Sequence, residues 1–179
     1  MFRVILKYGV IAGLIVGSIG FCVTVSMADK PPSVTVGMII GFSSMLLALS
    51  AVFVGIKHYR DHDLGGVIRF WPALGMGLAI SFIAGVFYAF AWEAALAVSK
   101  MDFAGEYAKY LIDQEKAKGA TVEALAKLTA EMEKFKADYK NPLYRVPMTF
   151  SEIFPVGVLV SLLSAGLLRN SRFMALKRG

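Results

Sequence analysis

Four apolar runs, each about as long as a bilayer is thick, constrain this chain more than any other feature: Tyr8 to Ala28, Val34 to Ile56, Trp71 to Ser99 and Met148 to Leu168. A helix rises about 1.5 Å per residue and the hydrocarbon core is about 30 Å thick, so each run can span as a helix. The expected fold is an all-α membrane protein with four transmembrane helices.

Of the 179 residues, 57% are hydrophobic and only 18% charged, which excludes a disordered chain and exceeds the apolar content of an ordinary globular domain. One polar segment, residues 101–140, interrupts the pattern. The chain therefore reads as a single integral membrane domain, 1–179, with that segment inserted between the third and fourth spans. The net charge of +6 lies largely beside the spans, so membrane lipids are expected neighbours and nucleic acid is not. Cys22, the single cysteine, lies within the first run and forms no internal disulfide.

Arg3 and Lys7 before the first run, with Ser26, Met27 and Ala28 at its end, also fit a cleaved signal peptide. Two features favour retention. The run exceeds the roughly 7–15 residues of a signal core. It also carries Gly9, Gly13 and Gly17 at four-residue spacing, a flat stripe suited to permanent packing against a neighbouring helix. Small residues recur similarly in the other spans: Gly37 with Gly41, Ala51 with Gly55, Ser81 with Gly85, Ala91 with Ala95, and Gly157 with Ser161 and Ala165.

Basic residues in short loops stay in the cytoplasm, and the first helix usually sets the orientation. Arg3 and Lys7 thus place the N-terminus inside, the turn at Asp29, Lys30, Pro31 and Pro32 outside, and the C-terminus inside. Six of the seven arginines (Arg3, Arg60, Arg69, Arg169, Arg172 and Arg178) then fall on the cytoplasmic side.

Residues 101–140 become an extracytoplasmic helical hairpin. Phe103, Tyr107, Tyr110 and Leu111 share one helical face, and Leu125, Leu128, Met132, Phe135 and Tyr139 form a second seam. Gly119 is the expected C-terminal cap, Thr121 the next N-cap, and Asn141-Pro142 the stop. So short a hairpin buries too little to stand alone, and is expected to lean on the bundle or on a second copy.

Few residues suggest chemistry. Glu93 and Glu152 are the carboxylates within the spans, readable as a protonatable pair or as separate groups, solvated or paired with Lys100 or Arg145. Pro155 follows Glu152 and frees a backbone carbonyl in the fourth helix. His58 and His62 lie four apart beside Asp61 and Asp63, a spacing compatible with a metal but short of ligands. Gly65-Gly66 reads as a turn, and Phe70-Trp71-Pro72 as an interfacial start to the third helix. No motif for an enzyme, cofactor or phosphate site is present, so neither catalysis nor a bound metal is expected.

Certain strings carry a resemblance: Lys7-Tyr8-Gly9 with Gly13; Phe53-Val54-Gly55-Ile56-Lys57; Tyr59-Arg60-Asp61; and Gly65-Gly66-Val67-Ile68-Arg69-Phe70. Trp92, Tyr139-Lys140-Asn141-Pro142 and Thr149 through Gly157 add to them. Over nearly its whole length the chain resembles the bacterial domain-of-unknown-function family 4199. The resemblance implies a retained first span, four transmembrane helices and the bacterial inner membrane, with no known activity or cofactor. It singles out Tyr59, Arg60, Asp61, Glu152 and Pro155, whereas His58, His62 and Glu93 depart from its pattern. Arg60 is expected to fix the turn after the second helix through Asp61 or through lipid.

The function these readings favour is structural: a membrane protein acting by interaction, with the 101–140 hairpin binding a protein partner or a second copy. The alternative is a small transporter or ion or proton pathway centred on Glu152.

Overall fold

The computed structural model describes residues 1–27 and 33–175. Among these run six α-helices: α1 (Phe2–Ser26), α2 (Val34–His58), α3 (Phe70–Ser99), α4 (Phe103–Ala117), α5 (Val122–Tyr139) and α6 (Pro142–Leu168). The end of α2 widens into a π-helical turn, Tyr59–Asp63. Four of the helices, α1, α2, α3 and α6, are long and apolar enough to cross a membrane. The other two, α4 and α5, form the hairpin between α3 and α6. The turn expected at Asp29, Lys30, Pro31 and Pro32 lies outside the described residues, as does Arg178.

In the bundle α3 packs between α1 and α6, and α2 closes the ring by touching both. Lipid tails are as apolar as leucine, so close van der Waals approach must hold such helices together. The contacts between α1 and α3 are of this kind. A Cβ added at Gly9, Gly13 or Gly17 would come within 2.8 Å of Ile83, 2.5 Å of Phe87 and 2.9 Å of Ala91 respectively. Hydrogen in place of a side chain is what lets the two backbones meet.

The crossing of α3 and α6 uses a reciprocal version of the same device. A Cβ at Gly77 would meet Ser161 at 2.8 Å, and one at Gly157 would meet Ser81 at 2.6 Å. The two serines bridge the buried centre, Oγ to Oγ at 3.3 Å, while Ser161 Oγ donates to the Gly157 carbonyl at 2.7 Å. Every hydroxyl at this level is thus satisfied without water.

Gly37 and Gly41 depart from the packing expected of them. An added Cβ at either would meet nothing within 4 Å. Both border an opening in the bundle rather than a helix contact. Gly55, by contrast, lies against Tyr8 and Ile80.

The outer surface of the four long helices is apolar. Phe42, Leu46, Leu47, Phe90 and Leu163 are each more than half exposed. Side chains of this kind facing outward belong against acyl chains.

The hairpin is capped as its sequence dictates. Thr121 Oγ1 accepts from the Ala124 amide at 3.2 Å, and Gly119 takes the left-handed φ of +79° that ends α4. Asp102 caps α4 in the same way, accepting from Gly105. Asn141 and Pro142 do more than stop α5. Asn141 Oδ1 accepts from the Leu143 amide, and Pro142 occupies the opening position of α6, so one dipeptide ends a helix and starts the next.

Candidate functional site

Where the hairpin meets the bundle, side chains from α3, α4, α5 and α6 converge. Trp92 of α3 donates its indole N–H to the Tyr139 hydroxyl at 2.8 Å. The Phe103 ring stands edge-on to Trp92, with centroids 5.2 Å apart, and tilts against Tyr139 at 5.6 Å. Tyr107 and Phe135 extend this cluster up the hairpin. Edge-to-face and offset contacts of this sort add about 0.5–1.5 kcal/mol each beyond simple burial.

Polar groups fasten the same junction. Arg145 of α6 grips Glu93 of α3 in a two-pronged ion pair, with Nε to Oε1 at 2.5 Å and Nη2 on Oε2. Its remaining nitrogen, Nη1, donates to the Tyr139 carbonyl at 2.9 Å, and the guanidinium lies 5.5 Å from the Tyr139 ring centre. One arginine therefore ties α3, α5 and α6 together. Burial pushes the Tyr139 hydroxyl up to about 12; the Trp92 hydrogen bond opposes that rise, and the negative charge of Glu152 adds to it.

Beneath the hairpin lies a cavity of about 390 Å³, walled by α1, α2, α3 and α6 and roofed by α4 and α5. Its surface is mostly apolar, with methionines such as Met38, Met45, Met101 and Met148 among its walls. Glu152 opens into it and is exposed there, with the Tyr88 hydroxyl close enough to interact with its carboxylate.

At the opposite end of the bundle Arg60 is fully buried. Its Nε donates to Asp61 Oδ1 at 2.6 Å, its Nη1 to the Phe173 carbonyl at 2.9 Å and its Nη2 to the Met174 carbonyl at 3.1 Å. Lys57 supplies Asp61 with a second cation at 2.6 Å. The carbonyls that follow a helix C-terminus lack partners within the helix, and a guanidinium carries five donors in a fixed fork. Arg60 thus closes the end of α6. Arg60 and Asp61 both lie in the widened turn Tyr59–Asp63, and both are buried there.

A family model described as "Protein of unknown function (DUF4199)" matches residues 7–170. The chain belongs to this family. No curated protein and no solved structure matches it. The DUF4199 match takes in the hairpin, the Trp92–Tyr139 junction, the cavity with Glu152, and Arg60 with Asp61. It stops short of Phe173 and Met174, whose backbones Arg60 holds.

Within this DUF4199 chain the residues singled out from sequence divide between the two ends. Glu93 and Glu152 do not form a dyad, because Glu93 is held by Arg145 and Glu152 faces Tyr88. Of the two partners expected for Arg60, aspartate is the one present, and burial removes it from lipid. Its larger role, holding the segment after α6, has no local signal, since the acceptors are backbone carbonyls far along the chain. Pro155 is exposed inside a helix that continues through it. His58 and His62 stack on each other, with ring centres 4.4 Å apart, and His62 Nδ1 lies 3.1 Å from the His58 carbonyl. Among the described residues no three His, Cys, Asp or Glu side chains converge as a metal site. Seam spacing marks Tyr139, and Arg145 is one of the partners open to the carboxylates, but no spacing marks Tyr88; the density of aromatic residues flanking the polar segment is the available signal.

Proposed function

We propose that this chain is a non-enzymatic scaffold of the bacterial inner membrane that associates with a second copy through its hairpin. The observation that carries the reading is the anchoring of the hairpin. The Trp92–Tyr139 hydrogen bond and the bond from Arg145 to the Tyr139 carbonyl root it on the bundle, so it is held at a set angle rather than swinging on a linker. A fixed element presents the same surface to every approaching partner and loses little entropy on binding.

That surface carries a self-complementary pattern. Glu123, Lys127, Glu131 and Lys134 are all exposed along α5. Read backwards the order is Lys, Glu, Lys, Glu, so a second α5 related by a two-fold axis would set Glu123 against Lys134 and Lys127 against Glu131. Exposed pairs contribute only about 0–1 kcal/mol each, so the charges would set register and the hairpin's apolar residues the affinity. The bias of arginines toward the ends of the bundle opposite the hairpin supports cytoplasmic termini and a periplasmic hairpin.

Crosslinking of the full chain in nanodiscs tests this. The double variant K127E/K134E sets like charges against each other and should weaken the dimer band several-fold, and adding Glu123→Lys and Glu131→Lys should restore it. A band of unchanged strength after the first change removes the self-association reading.

The alternative, an ion or proton pathway at Glu152, draws on the cavity around that carboxylate. Against it, Leu49, Ile56 and Ile80 fill the described bundle toward the other end and are fully buried. Proton flux into liposomes that is equal for wild type and Glu152→Gln would remove it.

A further inference from the structure

The cavity under the hairpin combines features that a mere packing defect does not need. Its volume, about 390 Å³, falls in the range of small-molecule pockets, about 300–1,000 Å³. Besides Glu106, on the hairpin roof, its apolar walls open to a second carboxylate, Glu152 in the bundle, which among the described residues has no cation paired to it. Arg145, on the same helix, is already committed to Glu93. Tyr88, Trp92, Phe103, Tyr107 and Tyr139 supply aromatic rings to the same space. A ring presents a negative face, and a carboxylate framed by such rings is complementary to an organic cation.

The opposite wall has been kept clear. Gly37 and Gly41 face the opening and would meet nothing within 4 Å if they gained a Cβ, although glycine costs a helix interior about 0.8–1.0 kcal/mol relative to alanine. The tight glycines of α1 have a packing reason for their small size. These two have room, and the room is the cavity. Around them Met38, Met45, Met101 and Met148 give flexible, polarisable walls that adapt to chains of differing shape.

We propose that this cavity binds an alkylammonium amphiphile, its ammonium group on Glu152 among the aromatic rings and its chain along Gly37, Gly41 and the methionines. Two sources share that chemistry: the ammonium headgroup of a membrane phospholipid, and a free amphipathic amine. A fatty alcohol of equal length has the same tail and lacks the charge, so it gains nothing from the carboxylate.

The test uses the full chain with Trp71→Phe, which leaves Trp92 as the only tryptophan and places the reporter in the cavity wall. Trp71 is largely exposed at the other end of α3. In phosphatidylglycerol nanodiscs, hexadecylamine should change Trp92 fluorescence saturably, and hexadecanol should bind at least ~10-fold more weakly, a difference of about 1.4 kcal/mol. Glu152→Gln should weaken the amine by a similar factor and leave the alcohol unchanged. Gly41→Leu, which fills the cavity without touching the carboxylate, should abolish both signals while preserving helicity and thermal stability. Adding phosphatidylethanolamine distinguishes the sources: competition with the amine in wild type assigns the lipid headgroup, and its absence assigns a free amine. Equal affinity for amine and alcohol, equal amine affinity in wild type and Glu152→Gln, or full binding by Gly41→Leu would each overturn the proposal.

Discussion

Trp92, near the end of α3, and Tyr139, the last residue of α5, share a hydrogen bond of 2.8 Å that joins a membrane-length helix to the polar hairpin. Both residues are embedded in aromatic neighbours, so the bond is made where water competes poorly. The hairpin is consequently part of the bundle's structure and not an appendage to it.

Replacing Trp92 with Phe keeps the ring contacts and removes the donor. The expected loss is about 1 kcal/mol, the net worth of a typical intramolecular hydrogen bond. Hydrogen exchange followed by mass spectrometry should show faster exchange in α4 and α5 with α1 and α2 unchanged. Unaltered protection of the hairpin would mean that the bond does not hold it.

Alkaline pH should loosen the same junction. The folded-state value for Tyr139 is pushed up to about 12, above its ordinary value near 10, because burial disfavours the phenolate. Its contribution to stability is complete below pH ~10 and is lost as pH rises toward about 12, where the unfolded chain ionises first. Thermal unfolding at rising pH should show this decline in wild type and a shallower one in Tyr139→Phe.

Arg60→Ala should be among the most damaging single changes. It strips donors from the Phe173 and Met174 carbonyls and leaves the buried Asp61 with Lys57 alone. Breaking such a buried arrangement costs about 3–5 kcal/mol. Limited proteolysis should cut after α6 in the variant first. Arg60→Lys should recover only part of the loss, because an ammonium lacks the guanidinium fork.

Two glycines separate packing from space. Gly13→Ala puts a Cβ 2.5 Å from that of Phe87 and should cost about 1–3 kcal/mol by forcing α1 from α3. Gly37→Ala meets nothing and should be neutral, or stabilise by up to about 1 kcal/mol through helix propensity. Unfolding in matched detergent micelles compares the two, and equal effects would contradict this division.

The Glu93–Arg145 pair suits a double-mutant cycle with Glu93→Gln and Arg145→Gln. Its geometry is bidentate and its side chains are 21% and 15% exposed, so the coupling should reach about 1–2 kcal/mol, above the usual surface pair. A coupling near zero would show that Arg145 acts through Tyr139 alone.

How far the sequence reveals this depends on how local each cause is. Spans, caps and hairpin seams are properties of neighbouring residues, and apolar run length, Thr121, Gly119 and Asn141-Pro142 place them directly. The α1 stripe is legible for the same reason, since Gly9, Gly13 and Gly17 share a face whatever packs against it. Gly37 and Gly41 show an identical pattern yet border a cavity, because spacing reports a smooth face and not what fills it. Glu93 took one of the partners open to it, but nothing in its own surroundings chose Arg145 over Lys100. The reach of Arg60 was hidden most deeply, because its acceptors are peptide carbonyls that any residue type could supply.

That reach has a consequence for biogenesis. The Phe173 carbonyl is 113 residues beyond Arg60. At synthesis rates of about 5–20 residues per second, Arg60 is made roughly 6–20 s before its backbone partners exist. During that interval Asp61 and Lys57, made within moments of it, are the charges at hand to neutralise the site. The segment after α6 is therefore what locks the end of α2, and a ribosome stalled before residue 173 would leave a bundle with these four spans made but its latch open.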